Sequence, residues 1–95
     1  MLMLSVRKMG RMTRLICSGR IREGSEATIL RKFATNILYK DQRLVVDLTS
    51  VQHIDNIGLR TLDDLRCLAQ SLGRQYTLVN MRAGILNREE RLAKR

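Results

Sequence analysis

The sequence predicts a single α/β domain built on a mixed, mostly parallel four-stranded sheet, and three observations predict it. Apolar runs of strand length alternate with amphipathic stretches of helix length. One run, Leu44-Val45-Val46, is unbroken and rich in β-branched residues, as expected of a central strand covered on both faces. Helices of this length between strands imply right-handed crossovers, hence parallel pairing.

Taken in order, Leu2–Met9 reads as a strand joined through Gly10-Arg11 to a second, Thr13–Ile21, which gives an N-terminal antiparallel hairpin and makes the sheet mixed. Gly24-Ser25 precedes SEATILRKFATNILYK, where Ala27, Leu30, Phe33, Ala34, Ile37 and Leu38 recur at the spacing of one helical face. Ser25 is placed to act as the N-cap, Glu26 suits the positive pole of the helix and Lys40 the negative one. Asp41-Gln42 turn the chain into the strand RLVVDLTSV, followed by a polar loop over His53–Asn56. Leu59, Leu62, Leu65, Leu68, Ala69 and Leu72 mark a second helix, closed by Gly73 as a C′ residue. Tyr76–Asn80 reads as the fourth strand, and Ala83–Arg95 as an exposed C-terminal helix held through Ile85 and Leu86. The expected order is β-β-α-β-α-β-α over residues 1–95, with residues 1–11 as the N-terminal strand and 83–95 as the exposed terminal helix.

A chain of 95 residues has room for one modest core, and with one Phe and no Trp that core is aliphatic. The net charge of +9 admits an anionic partner, but the basic residues are scattered, and only Tyr39 and Tyr76 are available to stack on bases. Nucleic-acid binding is therefore a minor reading. Cys17 and Cys67 lack any CxxC partner and read as two buried, reduced thiols in a cytoplasmic protein. His53 is the only histidine, so neither a metal site nor a cofactor is expected. No apolar run has the length of a membrane span or a secretion signal. Catalysis is not expected either: there is no phosphate-binding glycine loop, and Asp63-Asp64 are adjacent on a helix and point apart. His53 near Asp55 is read as a polar strand end.

That leaves HIDNIGL, the loop after the central strand. Ligands of open α/β sheets bind beyond the carboxyl ends of strands, and the helix that starts here presents free N–H groups to an anion. Asp55 and Asn56 are both good caps, and Gly58 in the first turn would let a partner approach the backbone.

The stretch from LVVDL to YTLVN resembles the STAS domain, the fold of bacterial anti-sigma factor antagonists and of sulphate-transporter tails. The resemblance runs through Asp47-Leu48, Ile54, Asp55, Gly58, Leu59, Gly73 and Leu78-Val79-Asn80, and upstream through SGRI and GSEATILRKF, covering Met12 to Leu92. It implies a protein-interaction module that docks on an anti-sigma factor or serine kinase. Antagonists of this type carry a phosphorylated serine directly after the loop aspartate. Here that position is Asn56, followed by Ile57, and neither can be phosphorylated. Thr61 and Thr49-Ser50 are the nearby hydroxyls. The implied contact surface comprises Asp55, Asn56, Ile57 and Gly58 with Arg60, Thr61 and Asp64 of the helix. A non-catalytic subunit bracing a membrane transporter is the alternative, and self-association into a homodimer is compatible with both.

Overall fold

The computed structural model describes residues 1–81. Within them the chain forms β1 (Leu2–Met9), β2 (Met12–Ile21), α1 (Ser25–Lys40), β3 (Arg43–Ile54), α2 (Asn56–Leu72) and β4 (Gln75–Val79). The sheet order is β1-β2-β3-β4, antiparallel between the first two strands and parallel across the rest. This is the mixed, mostly parallel architecture expected. The terminal helix expected over 83–95 lies outside the described residues.

Period-two alternation explains how the sheet packs. Leu15 and Cys17 of β2 and Leu44, Val46 and Leu48 of β3 are fully buried, and they meet Leu30, Ala34 and Leu38 of α1 and Leu62, Leu65 and Ala69 of α2. Two successive β-α-β units of the same hand in an order without reversal put both helices on one face. The opposite face of β3 carries Asp47, also buried. Its Oδ2 accepts from Arg14 Nη2 at 2.8 Å, and its Oδ1 from the Thr49 amide at 2.9 Å and Asn80 Nδ2 at 3.1 Å. Burial pushes this carboxyl up, but the bonds from Thr49, Arg14 and Asn80 outweigh it and hold it well below the usual carboxylate range.

Several local expectations are corrected. Ser25 does not cap α1: the cap is Gly24, with φ 100° and no side-chain bond, and Ser25 is already helical. Phe33 leaves the buried stripe and is 47% exposed on the flank of α1. Cys17 is buried, its thiol pushed up to about 12 chiefly by desolvation, whereas Cys67 is exposed. Tyr76 is half-buried with its hydroxyl donating to the Leu62 carbonyl at 2.9 Å, so it is no base-stacking platform. Finally, β3 does not stop at Val51. It continues to Ile54 alongside β2 through two register shifts, which takes His53 out of the expected loop and into the strand.

Candidate functional site

The residues predicted to form the site gather where β3 ends and α2 begins. The turn is a single residue: Ile54 closes the strand, Asp55 is the N-cap with extended backbone, and Asn56 is the first helical residue. Asp55 Oδ1 accepts the Gly58 amide at 2.7 Å, and Oδ2 accepts the Glu23 amide at 2.9 Å from the loop before α1. The Asp55 amide itself donates to the Ile21 carbonyl at 3.2 Å. The side chain is thus both a cap and a clip that joins the two crossover loops. Burial raises the Asp55 carboxyl, but the Glu23 and Gly58 amides and the nearby His53 lower it further, so it stays ionised.

This arrangement changes the meaning of three expected contact residues. The anion-binding end of α2 is already occupied, because Asp55 supplies the negative charge that its free amides attract. Gly58 is buried, and what approaches its backbone is the protein itself. A Cβ there would collide with the Ile21 carbonyl oxygen and sit 2.8 Å from Cγ2 of Ile54. Thr61 is 2% exposed and spends its hydroxyl on the Ile57 carbonyl at 2.8 Å. Gly58 and Thr61 therefore build the junction and present nothing outward.

Asn56, Ile57 and Arg60 remain on the surface. Ile57 is a 36% exposed apolar side chain at the tip of the strand mouth. One turn further, Asp64 pairs with Arg31 of α1 at 3.0 Å, which extends the exposed strip of α2 across to the neighbouring helix. Asp63 and Cys67 continue that strip, with Asp63 paired to Arg66 at 2.8 Å. Arg31 and Glu23, the two neighbours supplied by α1 and its loop, were not foreseen. No local pattern marks them, since each meets the site across more than thirty residues of chain. The hydroxyls at Thr49 and Ser50 are exposed but lie before the turn, and Thr49 is turned onto Asp47.

The architecture is shared with solved proteins. An anti-sigma factor antagonist from Mycobacterium paratuberculosis matches with a TM-score of 0.77 at 18% identity, covering 99% of this chain and 79% of that one. The antagonist SpoIIAA in its unphosphorylated form matches with a TM-score of 0.75 at 8% identity, over 97% of this chain and 96% of its own. Mglu matches with a TM-score of 0.75 at 23% identity, but the chain spans only 20% of its length. At these identities the likeness is one of fold. No curated protein sequence matches the chain. The family description that matches is the STAS domain, over residues 4–92, and with nearly the whole chain covered the protein belongs to the STAS domain family.

Proposed function

We propose that this protein is a non-catalytic interaction module of the anti-sigma factor antagonist type. It docks on an anti-sigma factor or kinase through Asn56, Ile57 and Arg60, with Asp64 and Arg31 at the rim, and it lacks a phosphate switch at the usual position. The observation that carries this reading is the exposure of Asn56 and Ile57 at the tip of α2, beside a loop aspartate whose two oxygens are spent inside the fold. An apolar side chain ringed by polar ones is a suitable anchor for a protein partner. A phosphate on the neighbouring position would add close to two negative charges to that contact and drive the partner off. An amide at Asn56 leaves the contact permanently permitted, so binding is constitutive.

The test is incubation with a candidate anti-sigma kinase and Mg-ATP, followed by mass spectrometry and calorimetry. Expected is an unmodified segment from Thr49 to Thr61 and an affinity that ATP turnover leaves unchanged. Ile57→Asp should abolish binding while the melting temperature stays near wild type. Phosphate on any residue of that segment, released together with the partner, would sink the constitutive reading.

A further inference from the structure

The two edges of the sheet are unlike. β4 has five residues and ends at Val79, followed by Asn80 at a positive φ of 62°. β1 has eight, pairs with β2 without a register shift, and contains no proline. Its sequence, LMLSVRKM, is mainly apolar, and a long, regular, apolar edge is what soluble proteins ordinarily avoid leaving bare.

Which backbone groups of β1 point outward follows from the ladder. The Arg20 amide donates to the Met1 carbonyl at 3.0 Å, so Met1 and Arg20 form a hydrogen-bonded pair. By antiparallel alternation the same holds for Met3, Ser5, Arg7 and Met9. The N–H and C=O groups of Leu2, Leu4, Val6 and Lys8 therefore face away from β2. Their side chains lie on the helix-covered face, where Leu2 and Leu4 touch the core and Lys8 is tied to Asp41 at 3.2 Å.

The flank of α1 above this edge is apolar as well. Arg31 marks the side of α1 that meets α2. Ile29 and Phe33 lie on the opposite side, together with Glu26, whose carboxylate binds the Met1 amino group at 2.7 Å at the start of β1. Ile29 and Phe33 are 42% and 47% exposed, and Val6 of β1 is 52% exposed. Strand edge and helix flank thus both expose apolar side chains on the helix-covered side of the sheet.

We propose that this surface is occupied by a second copy of the chain, with β1 pairing antiparallel to its counterpart about a two-fold axis at Ser5. That register uses the whole strand. It places Leu4 against Val6 and Leu2 against Lys8 as hydrogen-bonded pairs, about eight backbone bonds in all. Met3 faces Arg7 and Ser5 faces its own copy as the non-bonded pairs, so no cation opposes a cation. Both α1 helices lie on the same face of the resulting eight-stranded sheet. The two β2 strands stand three strand spacings apart, roughly 14 Å. The trough between the helices is floored by Leu4 and Val6 and walled by Ile29 and Phe33 of both copies, and self-complementarity of this kind is what an isologous interface requires.

Sedimentation velocity at about 100 μM, where mass action favours association, should show a dimer. Val6→Pro removes an outward amide that β2 does not use, so the variant should keep its fold by circular dichroism and sediment as a monomer. In a Cys67→Ser background, Ser5→Cys should form an intermolecular disulfide on mild oxidation, since non-bonded pairs bring Cα atoms to about 4.5 Å. Met3→Cys should not, because the two copies of residue 3 lie about 13 Å apart. A wild-type monomer, a dimer indifferent to Val6→Pro, or crosslinking at position 3 in place of 5 each overturns the proposal. So does a monomer that gains mass only when an acidic extended peptide is added.

Discussion

Both helices start at the carboxyl end of a parallel strand, yet the two starts are built differently. α1 begins after a three-residue loop with a glycine cap that offers no side chain to bond, and its first amides turn to backbone carbonyls: Ala27 to Arg22 at 3.0 Å and Thr28 to Gly24 at 3.1 Å. α2 begins one residue after its strand, and a carboxylate gathers amides from both loops. The first start is tied more loosely, through the Glu23 amide on Asp55 and through Glu26, which accepts the Arg22 amide at 3.1 Å and binds the Met1 amino group at 2.7 Å. The second is locked to β2, β3 and the α1 loop at once, which fixes the position of the exposed Asn56 and Ile57. A rigid frame under an exposed tip is what a docking surface needs, because less freedom is lost on binding.

The harshest way to break the locked start is Gly58→Ala. At an ordinary exposed helix position this exchange stabilises by about 1 kcal/mol. Here the new Cβ strikes the Ile21 carbonyl, which belongs to the β2 backbone and cannot rotate aside. We expect a loss of about 3 kcal/mol, read as a lower urea midpoint at unchanged m-value. A neutral or stabilised variant would mean that α2 can slide away from β2, and the contrast between the two starts would vanish.

Next in size is the clip. Asp55→Ala should cost about 2 kcal/mol, because two amides lose a charged acceptor. The carboxyl also gives the locked start a pH signature. Its folded pKa lies below the ordinary value of 3.8, so the unfolded chain takes up the proton first. The stabilisation is whole above about pH 5 and is lost as the pH falls below 4 toward the folded pKa. Asp47, held down in the same direction, adds to this acid limb. In Asp55→Asn the unfolding free energy should therefore fall less steeply between pH 5 and 2 than in the wild type. An unchanged slope would place the acid sensitivity elsewhere.

These contrasts also mark what the sequence could convey. Strand and helix order, Gly73 as the left-handed closure of α2 (φ 69°) and Asp55 as one of two candidate caps were legible because each depends on a few adjacent residues. The inward role of Gly58 was not, because the atoms that forbid a Cβ belong to Ile21 and Ile54, brought in by the fold. Phe33 was read into the core because its spacing fits the stripe. Periodicity cannot tell the centre of a buried face from its rim, and Phe33 lies at the rim next to an edge strand. β3 outran its expected end because Gln52 and His53 are polar, and polarity reads as loop. The strand persists there because β2 extends alongside it.

The smallest effect tests the looser start. Ser25 stands where a capping residue would ordinarily be sought, and replacing such a cap by alanine typically costs about 1 kcal/mol. In this fold Ser25 lies inside the first turn and α1 has no side-chain cap bond, the capping position being held by Gly24. Alanine is the better helix former, by a few tenths of a kcal/mol. Ser25→Ala should therefore leave the melting temperature unchanged or raise it by about a degree. A loss comparable to that of Asp55→Ala would mean that the serine caps α1 in solution, and the two helix starts would then be alike. The predicted difference rests on where one residue falls relative to the first helical amide, and differential scanning calorimetry of the two alanine variants side by side would measure it.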